Sequence, residues 1–234
     1  MIFSHPGIVA AFSRQPQNMS FKHGDTGSSL TNREEFLRSL GVEYRNLACA
    51  NQVHEDAVVC VGQEHKGRGA LNYQDAFSQT DALITQEKNL PLAVFTADCL
   101  SVFLYDPIKH AAGVVHAGWR SSHKRLAAKT VRLMVKEFNS QAADILAGFG
   151  PAIGPCCYEV GKEFTGYFDC GIRQKQGKYY LDLAQVNKGQ LIEAGLKEEN
   201  ISSAASCTFC NHEFFSYRRQ GSSCGRMMSV IMLK

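Results

Sequence analysis

The 234-residue sequence has no apolar run long enough to cross a membrane as a helix. Its best apolar stretch, residues 90–105, carries Asp98 near the middle and is shorter than the roughly 18 residues that a span requires. The net charge is only +3, and the basic residues form no stripe of the kind that binds nucleic acid. We therefore expect neither a membrane nor a nucleic acid as partner, which leaves a small molecule.

The chain also lacks low-complexity linkers, internal repeats and blocks of like charge that would divide it. We therefore predict a single domain over residues 1–234. The nine cysteines are an odd number in a chain that is not small, which favours free thiols over a disulfide framework. Free thiols are typical of the cytoplasm, so we predict a cytoplasmic protein.

Short apolar runs alternate with segments of helical periodicity, which predicts an α/β or α+β fold. A helix is expected after Trp119, because apolar residues recur there at steps of three and four up to Phe138. Two further helices are predicted at 160–168 and 183–194. The predicted strands cover 57–61, 92–95, 101–105, 111–115, 145–149 and 228–233.

Three residues able to bind a metal lie at the predicted strand ends: His54, Cys99 and His116. Each of them alone is more often structural, because buried cysteines and hydrogen-bonded histidines are common. Two histidines and one cysteine nevertheless form a recognised zinc set that leaves one position open for water or substrate. The set predicts a catalytic metal site, although no local motif fixes the spacing of its members.

A second metal site is not expected. Cys207 and Cys210 form a C-x-x-C pair, but no second pair of that spacing follows, and the adjacent Cys156 and Cys157 do not readily replace one. The sequence also lacks a Walker loop, a complete dinucleotide fingerprint and the signature of the conventional zinc deaminases.

Several long motifs resemble the YfiH-type laccase-domain family, whose members are also described as purine nucleoside phosphorylases. The motifs are QVH at 52–54, TADC at 96–99, VHAGWR at 115–120, GPAIGPCCYEVG at 150–161, CT at 207–208, FFSYRR at 214–219 and GRM at 225–227. They run in order along almost the whole chain. The resemblance implies a layered sandwich of helices around mixed β-sheets and a metal held by His54, Cys99 and His116.

The resemblance further implies phosphorolysis of adenosine, inosine and S-methyl-5'-thioadenosine, with adenosine deamination as a further activity. We predict catalytic roles for Asp98, Cys99 and Arg120, with Asp98 moving protons. Substrate or phosphate is expected to contact a set of polar and cationic residues, although each arginine alone could serve solubility: Gln52, Arg14, Arg120, Arg218 and Arg219.

Two residues depart from the family pattern, in which glycine usually follows both the first histidine and the Gly-Trp-Arg motif. This chain has Glu55 and Ser121 at those positions. We expect the side chain of Glu55 to narrow the site or to shift substrate preference.

Three other functions stay open at this point. A His₂Cys set also binds copper, so a copper-dependent polyphenol oxidase is the first alternative, and Cu²⁺ the second metal to consider beside Zn²⁺. The second alternative is a metal-free hydrolase with Cys99 as nucleophile and His116 as base. The third is a metal-stabilised binding protein without activity. A homodimer is a further option.

Overall fold

Thirteen strands and five helices follow one another in the computed structural model, which describes residues 5–234. The strands are β1 (Ile8–Phe12), β2 (Ala48–Cys49), β3 (Val58–Cys60), β4 (Ala82–Thr85), β5 (Leu92–Thr96), β6 (Leu100–Asp106), β7 (Ala111–Ala117), β8 (Leu146–Phe149), β9 (Glu159–Val160), β10 (Ile172–Lys175), β11 (Lys178–Leu181), β12 (Ile201–Ser203) and β13 (Met227–Leu233). The helices are α1 (Thr26–Ser39), α2 (Trp119–His123), α3 (Leu126–Phe138), α4 (Leu183–Glu193) and α5 (Tyr217–Gln220).

The strands form three sheets. A six-stranded mixed sheet has the spatial order β12-β8-β6-β7-β4-β3, and a four-stranded mixed sheet has the order β1-β13-β5-β2. A small antiparallel sheet of three strands, β10-β11-β9, is not hydrogen-bonded to either but packs through Leu181 into the core of the six-stranded sheet.

Alternation along β6 shows how the layers stack. Val102 and Leu104 pack with residues of α3 and α4, whereas Phe103 and Tyr105 pack with residues of β1, β5 and β13. Successive side chains of a strand point to opposite faces, so the six-stranded sheet lies between the helices and the four-stranded sheet. The other face of the four-stranded sheet packs against α1 through Leu37. The predicted layered α/β (α+β) sandwich is therefore confirmed.

Most of the predicted elements are present with small changes at their ends. The apolar stripe of α3, from Ala127 to Phe138, is buried as predicted. The helix predicted at 160–168 is wrong, because β9 ends at Val160 and only a short 3₁₀ turn, Lys162–Gly166, follows. The aromatic side chains of this segment serve contact with Trp119, whose ring lies 5.0 Å from that of Phe164.

No helix among residues 5–234 is long and apolar enough to cross a membrane.

Candidate metal centre

The side chains of His54, Cys99 and His116 meet at one edge of the six-stranded sheet, with their ligand atoms all within 4.8 Å of one another. Strand pairing explains the meeting. In the antiparallel pair β6–β7, Leu100 lies opposite Ala117, so the start of β6 lies beside the end of β7. Cys99 precedes β6 and His116 is next to last in β7, while His54 lies in the loop before β3.

A buried carboxylate that the sequence analysis missed orients two of these groups. Asp81 precedes β4 and is fully buried; its Oδ1 accepts a hydrogen bond of 2.7 Å from His116 Nδ1. The backbone N–H groups of Val53, His54 and Glu55 also donate to Asp81, at 3.0 to 3.1 Å. Because Nδ1 of His116 is hydrogen-bonded to Asp81, Nε2 is the ring nitrogen that can bind a metal, as in the carboxylate–histidine–zinc arrangement.

The backbone around the centre is strained and closely packed. His54 and Asp98 adopt φ angles of 63° and 85°, in the left-handed region that residues other than glycine seldom occupy. A Cβ added to Gly118 would lie 3.0 Å from Cys99 Sγ and 3.2 Å from His54 Cδ2. The glycine in the VHAGWR motif therefore allows the two ligands to approach the start of α2.

Cys99 and His116 each shift the pKa of the other. Burial on its own raises the pKa of the Cys99 thiol, but the charge and hydrogen bond of His116, together with His54, lower it to about 6. Burial likewise lowers the pKa of His116, but the Cys99 thiolate and the Asp81 carboxylate raise it to about 9. Each group thus shifts the pKa of the other in the direction that favours a thiolate beside an imidazolium. A divalent cation held by Cys99 and His116 would take the place of the imidazolium proton, because a ligating imidazole is neutral.

The donor set fits a zinc ion. Cys99 Sγ and His54 Nε2 lie 3.9 Å apart, close to the roughly 3.6 Å that tetrahedral zinc with ordinary Zn–S and Zn–N distances requires. The rings of His54 and His116 meet edge-on with centroids 4.7 Å apart, so they converge without stacking. Three protein ligands leave a fourth position, which is typical of catalytic zinc.

The centre opens into a cavity of about 580 Å³, which lies within the range of pockets that bind small organic molecules. His54 and His116 belong to its wall. Its aromatic side chains are Phe21, Tyr73, Phe95, Trp119, Tyr158 and Tyr217. Its basic side chains are Lys22, His23, Arg33, Arg120, Arg218 and Arg226. Apart from the two arginines predicted to bind phosphate, Arg120 and Arg218, the sequence analysis missed these residues. Some of them lie within the family motifs or next to one and could have been found there: Phe95, Trp119, Tyr158, Tyr217 and Arg226. The others, at 21–23, 33 and 73, lie far from any motif and carry no such signal.

Two of the four arginines predicted to bind phosphate line this cavity and two do not. Arg120 lies over the Trp119 ring at 4.4 Å, and Arg218 also lies in the wall. Arg14 instead pairs with Glu213 on the surface, at 3.0 Å. The guanidinium of Arg219 donates to three backbone carbonyls, which makes it a structural residue. The structure therefore does not place Arg14 and Arg219 where the prediction needs them.

Asp98 and Gln52 both line the cavity, but their polar atoms are already engaged. The Asp98 carboxylate accepts hydrogen bonds of 2.6 Å from Thr208 Oγ1 and from the Arg218 backbone N–H. The Gln52 amide both donates to and accepts from the backbone of Phe95. In this geometry Asp98 positions two chain segments rather than moving protons, and Gln52 fixes the edge of β5. The predicted catalytic role of Asp98 is not supported.

The two departures from the family pattern point away from the cavity. Glu55 forms an exposed ion pair with Lys124, and its side chain does not belong to the cavity wall. Ser121 is fully buried inside α2. The expected narrowing of the site by Glu55 is therefore not observed.

The structure corrects the expectation that the remaining cysteines form no metal-binding group. The thiols of Cys156, Cys157, Cys207 and Cys210 also lie within 4.8 Å of one another.

A metal-binding group with an open position, at the wall of a large polar and aromatic cavity, is typical of an enzyme. The chain belongs to the family described as multi-copper polyphenol oxidoreductase laccase, whose model matches residues 5–234. The resemblance to the YfiH-type family is confirmed by a solved structure. The hypothetical protein YfiH of Bacillus licheniformis is 32% identical, has a TM-score of 0.92 and matches over 99% of this chain and 98% of its own.

Similar proteins carry names of purine enzymes. Purine nucleoside phosphorylase YlmD of Bacillus subtilis is 34% identical over 221 residues, which cover 91% of this chain and 80% of that protein. The crystal structure of YlmD from Geobacillus stearothermophilus has a TM-score of 0.94 at 30% identity, covering 98% of this chain and 93% of that one. A protein from an unknown prokaryotic organism named adenosine deaminase RL5 is 32% identical, covering 83% of this chain and 78% of its own length.

Proposed function

We propose that this protein is a zinc-dependent purine nucleoside phosphorylase acting on adenosine, inosine and S-methyl-5'-thioadenosine, with adenosine deamination as a second activity. The observation that carries the proposal is the His54–Cys99–His116 group in the wall of a cavity lined by aromatic rings and cations. The names of the similar proteins support both activities. The free state of all nine cysteines agrees with the proposed cytoplasmic location.

The wall of the cavity offers distinct surfaces for the two substrates. Aromatic rings in the wall, such as that of Tyr158, suit the flat faces of a purine. Arg120 suits phosphate, because its guanidinium makes no hydrogen bond to protein among residues 5–234 and lies 4.4 Å from the centroid of the Trp119 ring. Arg218 lies 5.4 Å from the centroid of the Tyr158 ring and donates one bond to Glu159 O, which leaves further N–H groups for an anion.

Phosphorolysis breaks the bond between the purine nitrogen and the sugar carbon and forms a bond from that carbon to a phosphate oxygen. The proton that phosphate gives up ends on the departing purine, so the products are the free base and a sugar 1-phosphate. A zinc ion held by His54, Cys99 and His116 would supply a Lewis acid at the edge of the cavity. The cationic side chains of the wall offset the negative charge of the phosphate, and the cavity orients the sugar carbon toward it.

Deamination uses the same purine surface but a different co-substrate. Water replaces the amino group of adenosine, and ammonia leaves, so the reaction needs no phosphate. The two activities are therefore separable by omitting phosphate from the assay.

The copper-dependent oxidase is less consistent with this geometry. A multicopper cluster requires many imidazoles, whereas the metal-binding groups within the described part of the chain contain at most two.

One observation favours the metal-free hydrolase as a second candidate. Cys99, His116 and Asp81 form a chain of nucleophile, base and orienting carboxylate, and the lowered pKa of Cys99 favours its thiolate. The convergence of His54 on the same thiol argues for a metal instead, because a cysteine nucleophile needs only one base.

The test combines metal analysis with product chromatography. Purified protein should contain zinc and should convert adenosine to adenine only when phosphate is present, with sugar 1-phosphate formed in equal amount. Adenosine should also yield inosine without phosphate. Base release independent of phosphate would overturn phosphorolysis in favour of hydrolysis, and oxygen uptake with phenols in proportion to bound copper would favour the oxidase.

Variants of two arginines locate the phosphate. We expect Arg120→Ala to raise the KM for phosphate roughly tenfold while changing the KM for nucleoside little, since one charge-assisted contact is worth about 1.5 kcal/mol or more. Arg14→Ala is the matched control, because it removes an equally charged side chain that pairs with Glu213 outside the cavity. An equal effect of the two substitutions would contradict the assignment.

A further inference from the structure

The second group of thiols lies on two loops that are distant in sequence. Cys156 and Cys157 belong to the loop after β8, and Cys207 and Cys210 belong to the loop after β12. Cys210 Sγ lies 3.2 Å from Cys157 Sγ and 3.8 Å from Cys156 Sγ. Two of the four side chains are exposed and two are half-buried. Four of the nine cysteines are therefore gathered into one cluster near the surface.

Backbone contacts hold the two loops in this register. Ala152 and Cys207 form an isolated parallel bridge, in which the Thr208 N–H donates to Ala152 O at 3.0 Å. Tight turns then bring the later cysteines back: Cys157 N–H donates to Gly154 O, and Asn211 N–H donates to Cys207 O. The meeting of the thiols thus follows from the chain path and does not depend on the thiols themselves.

The arrangement has the chemistry of a closed zinc site. Four thiolates at the usual Zn–S distance lie about 3.8 Å apart on the corners of a tetrahedron. The separation of Cys210 Sγ from Cys156 Sγ, 3.8 Å, equals this value, and that from Cys157 Sγ, 3.2 Å, is somewhat shorter. The Gly154 N–H donates to Cys207 Sγ at 3.2 Å, an interaction of the kind that stabilises a metal-bound thiolate. A Cβ at Gly154 would lie 3.3 Å from Cys156 Sγ and 3.3 Å from Cys207 Cβ, so the backbone approaches the thiols closely.

The two loops also form part of the cavity wall. Tyr158, next to Cys157, belongs to that wall. Thr208, next to Cys207, donates its hydroxyl to Asp98, which precedes the ligand Cys99. The Arg219 guanidinium ties Thr208 and Phe209 to α5, whose Arg218 lies in the same wall. A cation between the loops would therefore fix one side of the active-site cavity.

We propose that Cys156, Cys157, Cys207 and Cys210 bind a second zinc ion with a structural role, separate from the His54–Cys99–His116 centre. With four protein ligands the site has no position left for substrate, so it stabilises the loops and takes no part in the reaction. The proposal concerns metal content and stability, and it holds whether or not the protein acts on nucleosides.

Metal stoichiometry of the full chain, purified under reducing conditions, tests the proposal. We expect two zinc ions per chain in the wild type and one in the Cys207→Ser/Cys210→Ser protein. His116→Ala should also lower the content to one, by emptying the other centre. The matched control is Cys60→Ser/Cys170→Ser, which removes two exposed thiols outside the cluster and should keep two ions. One zinc in the wild type, lost completely on His116→Ala, would overturn the proposal.

A conservative replacement separates metal binding from packing. Cys210 is exposed, so both a serine and a histidine fit there without disturbing a core. Because three cysteines and one histidine also form a structural zinc site, Cys210→His should retain the second ion, whereas Cys210→Ser should bind it at least tenfold more weakly. Equal loss of zinc in both variants would contradict tetrahedral coordination by residue 210.

Cobalt substitution reports directly on coordination by the thiolates, and two other findings would identify a different occupant. Replacement of the zinc by Co²⁺ in the His116→Ala protein should give the intense near-ultraviolet absorption of cobalt–thiolate bonds, which the cysteine variants should lose. A stable Cys157–Cys210 disulfide in peptide maps of the freshly reduced and dialysed protein would indicate a redox pair instead. Iron with acid-labile sulfide would indicate a cluster. Either finding would overturn the zinc assignment.

Discussion

The two cysteine-containing centres of the molecule differ in where their ligands come from. His54, Cys99 and His116 lie at the ends of strands or beside them, and a buried carboxylate, Asp81, orients the two histidines. The four-cysteine cluster lies on two loops, is half exposed and borders no substrate position of its own. The first centre has three ligands and opens into the cavity. The second has four ligands, none of which lines the cavity. Ligand number and surroundings thus separate a candidate catalytic site from a candidate structural one.

The two centres obtain their rigidity in different ways. At the strand ends, the sheet fixes the ligands before any metal binds, because β6, β7 and β4 are hydrogen-bonded neighbours. At the loops, one isolated bridge between Ala152 and Cys207 sets the register, and the rest depends on turns. Loss of metal should therefore affect chemistry at the first centre and stability at the second.

The largest expected effect comes from removing a ligand of the first centre. His116→Ala should reduce nucleoside turnover to background, because the metal and the orienting bond to Asp81 are both lost. The chain should remain folded, since the surrounding strands pair through their backbones. Turnover and thermal unfolding measured on the same preparation check this expectation.

The Cys207→Ser/Cys210→Ser protein should lose stability more than turnover in the same measurements. Its Tm should fall by about 5 °C or more, since about 1 kcal/mol corresponds to 2–4 °C in a chain of this size, while part of the turnover remains. The contrast between the centres would fail if both variants lost turnover and stability in the same proportion.

A smaller loss is expected when only the orientation of the first centre changes. Asp81→Asn keeps the shape of the side chain but removes the charge that accepts from His116 and from three backbone N–H groups. We expect metal affinity and turnover to fall about 10- to 100-fold. Zinc competition with a chelator of known affinity measures the first quantity, and initial rates measure the second.

Asp56→Asn is the control for the Asp81 variant, because it also removes an ion-paired carboxylate, the one that binds Lys129 on the surface. Its zinc affinity should equal that of the wild type. If Asp81→Asn left zinc affinity unchanged as well, Asp81 would serve the fold and not the metal.

A still smaller effect is expected from crowding the ligands. Gly118→Ala adds a Cβ that would lie 3.0 Å from Cys99 Sγ, so the thiol has to shift by a few tenths of an ångström. We expect turnover to fall roughly tenfold with zinc still bound, because small misplacements at a reacting centre are costly. Gly166→Ala is the matched control, since nothing lies within 4 Å of its added Cβ. Equal rates for both variants would show that the first centre tolerates displacement.

The sequence alone predicted the first centre better than the second, for a physical reason. Residue types at strand ends are visible in a one-dimensional pattern, and antiparallel pairing of neighbouring strands brings such ends together. Asp81 was missed because one acidic residue before a buried strand carries no periodic signal. The cysteine cluster was missed because two of its members are adjacent, and its register depends on the distant Ala152–Cys207 bridge.

The same reasoning explains the one wrong helix and the misplaced arginines. Aromatic residues at 164, 167 and 168 have helical spacing, but they lie in or just after a short 3₁₀ turn. Phe164 and Tyr167 pack against Trp119, and Phe168 packs against His123. Charge on Arg14 and Arg219 is visible in the sequence, whereas their partners, a distant Glu213 and three backbone carbonyls, are defined only by the folded chain. Local patterns predicted elements; long-range partners decided the role of each polar side chain.

The smallest effect is expected at Glu55, the residue beside the first ligand where the family usually has glycine. Its backbone N–H donates to Asp81, which a glycine at position 55 would still do, and its side chain pairs with Lys124 in solvent. Glu55→Gly should therefore change turnover less than about twofold and Tm by less than about 2 °C, because exposed ion pairs contribute little. Lys124→Ala removes the same pair from the other side and should match it. A larger change in Glu55→Gly alone, with altered preference between adenosine and inosine, would mean that the surface next to the first centre controls its choice of substrate. The first centre would then respond to a solvent-exposed side chain, although its own ligands are largely buried.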